Sequence, residues 1–432
     1  MSVVADVRGG PDVAWIGFGV GPGASPDRTT QVAGVRALDQ NGVALPIEAA
    51  GHAGYRITTN GEPWQLTYEL ALDQAATADT FYRGSAQGND YIVLVGSDAW
   101  PRLYDDPTPL TMAPDNRPAG VVAQATVRFY LPESNRDWTI ATTAWSEGER
   151  VFAMREHPVA SVFALGPFTI DELPNAPRLQ IARHRDWDLL ADDIEPLMAT
   201  LVESHTSSLG PASQRRALAV LSPLPDRLPI RGGLRTAGMV RDQTLLVYAA
   251  RSPGVDPKHP GIAEAMAVFL GHELFHLWVP SAVQVTRELS WLSEGWAMHM
   301  GRRAAVAAGH IDEDDREEHL SAAYRRYLDI GGYRAGSLPA ASLGREDQRN
   351  LLYLRGELIF RLLEIEWNGI DSDKSFERAL WRSLTTAYDG FEPLDARAIR
   401  QILVRLTDEV TVRRYVEGQA PLTPETLGLA GQ

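Results

Sequence analysis

In Gly271-His272-Glu273-Leu274-Phe275-His276-Leu277-Trp278, two histidines stand four residues apart with a glutamate between them. On an α-helix, positions i and i+4 share one face, so both imidazoles can address a single ion. Glu273 falls one residue further round, beside such an ion and not on it. A carboxylate placed there can act as general base on a water held by a metal. The bland alternative is two helix histidines with structural hydrogen bonds, because the pattern also arises by chance.

The following segment, ELSWLSEGWAMHMGRR (288–303), starts a second helix and places Glu294 eighteen residues after His276. A zinc ion with two histidines needs a third protein ligand. A carboxylate from an adjacent helix supplies it and leaves a fourth position open for water. The alternative for Glu294 is an exposed carboxylate favoured by the helix dipole. His272, His276 and Glu294 are therefore expected to hold one Zn²⁺ per chain, with Glu273 as the catalytic base. Trp291, Leu292 and Trp296 are expected to bury the second helix against the first. The chain has no cysteine, which excludes thiolate ligands, disulfides and a cysteine nucleophile. Any transition-metal site must use histidine and carboxylate.

The elements that position these residues divide by texture. The first 170 residues or so read as short β-strands: QVAGVRAL, YRITT, WQLTYELAL, DYIVLVG and QATVRFYL, separated by Gly, Pro, Asn and Asp clusters. Asn41-Gly42 is a hairpin signal. Many short strands with frequent turns suggest a sandwich. From about residue 185 helical periods dominate, with a strand pair expected in LAVLSPL and QTLLVYAA. Long helices are expected over 261–279, 291–308, 312–330, 349–367, 373–388 and 395–406. The acidic run IDEDDREEH (311–319) reads as a solvated helix start.

Size and charge narrow the partners. A chain of 432 residues with 44% hydrophobic and 22% charged residues holds two or three domains and a sizeable core. Its net charge of −15 argues against nucleic acid and anionic membrane as partners. No apolar run approaches the roughly 18 residues of a membrane span, so no membrane insertion is expected. MSVVADVRGG lacks a basic n-region and an apolar h-region. That reads as a cytoplasmic chain as it stands, or a periplasmic or secreted one whose signal was removed.

With these residues in hand, the chain resembles the gluzincins, the thermolysin-like zinc metallopeptidases. In their large aminopeptidase family, a W-L-x-E-G-[aromatic]-A segment follows HExxH, and WLSEGWA (291–297) is similar to it, one residue closer to the histidines than is usual. The nearest resemblance is to the glycyl aminopeptidases, through the N-terminal β segment that includes VRALDQNGVALPIEAAGHAGYRITTNGEPWQLTYELAL and through Tyr415–Gly418 (YVEG). That family's C-terminal PDZ-type domain is not expected here, since the chain stops at Gln432.

The resemblance implies more. NLLYLRGELIFRLLE looks like the helix whose tyrosine hydrogen-bonds the tetrahedral intermediate, which would be Tyr353 here. It also implies a substrate-side edge strand of pattern G-x-[ML]-E, whose glutamate binds the free α-amine. Gly232, Gly233 and Leu234 match it, and Gly238 follows. Arg235 stands at the glutamate position, and a guanidinium repels an ammonium but pairs with a carboxylate. The implied fold is α+β and multidomain: an N-terminal β-sandwich (1–172), a thermolysin-like α/β catalytic subdomain with the zinc helix (173–300) and a helical C-terminal subdomain (301–432). The implied function is a zinc metallopeptidase acting on a peptide or protein substrate, with exo- or endopeptidase action left open by Arg235. Two alternatives remain beside it: a catalytically silent peptide-binding protein on a peptidase scaffold, and a zinc hydrolase of a non-peptide substrate.

Overall fold

The computed structural model describes residues 2–7, 11–18, 32–51, 54–70, 72, 85–104, 106–111, 125–154, 161–173, 176–187, 194–212, 215–224, 233–241, 243–252, 254–256, 259–331, 338, 349–370, 375–390, 392–418 and 420–429. The chain is mixed α/β and falls into two compact units. One holds residues 1–171, 180–187 and 218–253; the other holds 172–179, 188–217 and 254–432.

Up to residue 166 the described residues form small sheets whose paired strands run antiparallel. One runs in the order Ser2–Val7, Trp64–Leu70, Val32–Asp39, and another in the order Ile47–Ala49, Gly54–Thr58, Val13–Gly17, Arg102–Tyr104. Their alternating residues converge on one core that includes Ile16, Phe18, Ile57, Trp64, Leu66 and Tyr68, as period-two patterning requires. The Asn41-Gly42 turn is closed by Asp39, whose carboxylate accepts from the backbone N–H groups of Asn41 and Val43, and Gly42 takes a φ of 80°.

A five-stranded sheet follows, built from β1 (Phe168–Leu173), β2 (Ala176–His184), β3 (Ala217–Pro223), β4 (Leu234–Arg241) and β5 (Thr244–Arg251) in the order β1-β2-β3-β5-β4. β3 and β5 pair in parallel, with Leu218 opposite Thr244. Both are nearly continuous apolar runs, as strands covered on both faces are. β4 is an edge strand and pairs antiparallel with β5.

The second unit is mainly helical: α1 (Ile194–Leu209), α2 (Pro260–Phe275), α3 (Ser290–Ala307), α4 (Glu313–Asp329), α5 (Arg349–Ile370), α6 (Phe376–Ala387) and α7 (Ala396–Leu406). Their starts are legible chemistry. Pro260 opens α2 behind an N-cap His259 that accepts from Gly261 N–H. Asp312 and Asp315 form a reciprocal capping box on α4, and Ser375 and Asp395 cap α6 and α7.

The helix expected over 261–279 ends at Phe275. Pro280 has no N–H to offer the carbonyl of residue 276, so regular helix cannot pass it. His276 becomes the C-cap, still at φ −64° and ψ −9°, so the i,i+4 relation to His272 survives.

Candidate metal centre

α3 packs against both α2 and α5. Its closeness to each is permitted by glycine. A Cβ on Gly295 would lie 2.4 Å from the Gly356 carbonyl carbon, and one on Gly301 would lie 2.7 Å from the His272 nitrogen. These neighbours are backbone atoms and cannot swing aside. The two pairs, Gly271–Gly301 and Gly295–Gly356, sit beside His272, Glu294 and the Tyr353 turn. Around them Leu274, Phe275, Leu292 and Trp296 are sealed from solvent. Phe275 leans on Trp296, which stacks on Phe360 at 5.5 Å and 7°. Each such aliphatic or phenyl side chain contributes roughly 1.5–3 kcal/mol by leaving water.

This packing brings together His272, Glu273 and His276 from α2, Glu294 from α3 and Tyr353 from α5. The two Nε2 atoms are 3.2 Å apart, and Glu294 Oε2 lies 3.4 Å from His272 Nε2 and 3.6 Å from His276 Nε2. Donors about 2.05 Å from a tetrahedral Zn²⁺ are spaced by roughly 3.3 Å. The triangle therefore fits the ion with little adjustment. His276 Nδ1–H donates to the Val279 carbonyl at 3.0 Å, which leaves the Nε2 lone pair for the metal. The histidines are almost wholly buried, whereas the Glu294 side chain is 24% exposed.

The charges are coupled. Burial opposes a charge on His276, yet the neighbouring Glu294 carboxylate outweighs it and lifts the imidazole to about 9. Burial also opposes the Glu294 charge, but His276 and His272 hold it well below the usual carboxylate range. Burial raises Glu273, against the pull of His272 and His276. A raised carboxyl is suited to taking and returning a proton near neutral pH. The Tyr353 ring lies 6.0 Å from the His272 ring, tilted by 33°.

Other residues near the motif in sequence take plainer places. Trp278 is core, donating from Nε1 to the Gly210 carbonyl. Glu288 accepts from the Ala396 N–H at the start of α7. His299 faces Glu377 at 3.3 Å, and His310 is exposed. Gly232 lies outside the described residues. Gly233, with φ +87°, precedes β4, where Leu234 and Arg235 stand opposite Arg251 and Ala250. These three belong to the first unit, and the histidines to the second.

Two features escaped sequence reasoning. One is the pair of glycine contacts, which only tertiary packing reveals. The other is His205, fully buried on α1, whose Nε2–H donates to the Gly271 carbonyl at 2.8 Å, next to His272. Its ring meets Phe275 and Trp278 edge-on.

No protein-family model matches the chain, and no curated protein matches it in sequence. Solved structures do match in fold. One is an aminopeptidase N family protein from Idiomarina loihiensis, with a TM-score of 0.77 at 14% identity over 99% of this chain and 75% of that one. Another is an M1 zinc metallopeptidase from Deinococcus radiodurans, with a TM-score of 0.56 at 14% identity over 98% of this chain and 90% of that one. A mutant of the Deinococcus enzyme bound to a Tyr-Ser-Ala substrate has a TM-score of 0.56 at 13% identity, over 98% and 91%. These structural neighbours are thus an aminopeptidase N family protein and M1 zinc metallopeptidases, and the likeness is one of fold.

Proposed function

We propose that the chain is a zinc-dependent peptidase that hydrolyses peptide bonds with water. The observation that carries this reading is the donor triangle of His272, His276 and Glu294, with the buried Glu273 carboxyl beside it. The three ligand side chains would hold Zn²⁺, which supplies Lewis acidity to acidify a water and polarise the scissile carbonyl. Glu273 accepts the proton of the attacking water and returns it to the departing amine. The Tyr353 hydroxyl donates a hydrogen bond to the carbonyl oxygen as it gains charge. A neighbour of the same fold was captured with Tyr-Ser-Ala, which supports short peptides as the substrate class. A silent binding scaffold would have no chemical use for Glu273, which is not a ligand.

The test is a mass-spectrometric cleavage profile of the zinc-loaded protein on peptides with free and acetylated N-termini, with Glu273→Gln as control. Hydrolysis by the wild type is expected, slowed about 10²–10⁴-fold in Glu273→Gln with zinc retained. Stepwise release from free N-termini alone would make it an aminopeptidase. Internal cleavage indifferent to acetylation would make it an endopeptidase. No cleavage of either set, or a Glu273→Gln protein as fast as the wild type, would overturn the reading.

A further inference from the structure

Arg302 on α3 meets Glu357 on α5 in a two-pronged contact, Nε to Oε1 at 2.5 Å and Nη2 to Oε2 at 3.3 Å. Glu357 is fully buried, and the Arg302 side chain is only 12% exposed. Among the described residues neither has another ion-pair partner. Such a pair gains little net stability, because desolvating both charges offsets their attraction. What it offers is geometry, since a planar guanidinium fork accepts a carboxylate in few orientations.

Its place in the fold is informative. Arg302 directly follows Gly301, and Glu357 directly follows Gly356. Those glycines are the two points where α3 touches α2 and α5 backbone to backbone. Glycine contacts set how close the helices come, but with no side chains they resist sliding and rotation poorly. Glu357 lies one helical turn beyond Tyr353, on the same face of α5.

We propose that the Arg302–Glu357 pair is a positioning device that fixes the register of α5 on α3 and so aims Tyr353 at the reacting carbonyl. This rests on the proposed peptidase reading and on the role given there to Tyr353.

The test is a kinetic cycle on the zinc-loaded protein: wild type, Tyr353→Phe, Glu357→Gln and the double variant. Tyr353→Phe is expected to lower kcat by about 100-fold. Glu357→Gln is expected to lower it by about tenfold, with KM within about twofold and zinc unchanged. In the Tyr353→Phe background, Glu357→Gln should cost less than about twofold more, because its effect runs through the hydroxyl. A second variant, Arg302→Met with Glu357→Leu, replaces the pair by apolar bulk and is expected to fold but stay slow.

Multiplying effects in the double variant would overturn the proposal, as would wild-type kcat in the apolar variant. A Tyr353→Phe enzyme at the wild-type rate would remove the tyrosine's role, and the proposal with it. Loss of turnover in Glu273→Gln would still stand in that case, so the two failures are distinguishable.

Discussion

Two clusters in the helical unit are built from the same two residue types in opposite proportion, and their electrostatics are opposite. His272, His276 and Glu294 form one; His299, Glu364 and Glu377 form the other. In both, the donor atoms lie within 4.8 Å of one another. The second cluster is already filled with positive charge. Arg303 reaches Glu377 and lies 2.9 Å from Glu364, which also meets Arg361 at 3.3 Å and Arg316 at 3.6 Å. Ser375 donates to Glu377 as well. Among the described residues, no arginine or lysine meets the first cluster. Its carboxylate faces two imidazoles whose Nε2 atoms lie 3.2 Å apart. A dication would complete the first cluster and would be repelled by three guanidinium groups at the second. Residue types and spacing alone do not separate a metal site from an ion-pair network; the count of fixed cations around it does.

The comparison can be broken at the second cluster first. Glu377→Ala takes from His299 its nearer carboxylate and from Arg303 one of its two. Glu377 is held well below its usual carboxyl range by His299 and Arg303, against a burial that opposes its charge. Urea unfolding should show a loss of about 3 kcal/mol, discounted for the partial exposure of Arg303, with zinc binding unchanged. A comparable loss of zinc would mean that the two clusters are not independent.

A third buried histidine sharpens the contrast. His276 is raised because a carboxylate faces it. Among the described residues His205 has no carboxylate partner, and burial lowers it from 6.5 to about 4. Below pH 6.5 the unfolded chain therefore binds more protons than the folded one, so stability is complete above that pH and is lost as pH falls toward 4. Between pH 7 and pH 4.5 this one residue should cost about 2–3 kcal/mol. His205→Leu should lose that part of the slope in urea melts taken at the two pH values. An unchanged slope would place the titration elsewhere.

A smaller effect is expected at Gly295→Ala. Its Cβ would press on the Gly356 backbone, and overpacking of this kind costs about 1–3 kcal/mol. Thermal melts should show that loss in the metal-free protein as well, since the clash does not involve the ion.

Much of this was legible in the sequence. HExxH, Glu294 and the tryptophans around it are local patterns; the helix that carries HExxH announces its start with Pro260, and Pro280 marks the point it cannot pass. The strands of LAVLSPL and QTLLVYAA announce themselves as apolar runs. What could not be read is what depends on distant neighbours. Gly271, Gly301 and Gly356 are ordinary letters until two helices meet at them. Arg302 and Glu357 lie fifty-five residues apart in the chain. His299 has the same residue type and helical setting as His272, and nothing in the local sequence announces that Arg303, Arg316 and Arg361 surround its partners.

The most direct test of the account is the zinc content per chain of dialysed, zinc-reconstituted wild-type, His272→Ala and His299→Ala proteins, each shown to be folded by circular dichroism. The account predicts one ion, none and one. Zinc retained by His272→Ala, or lost from a folded His299→Ala, would contradict it.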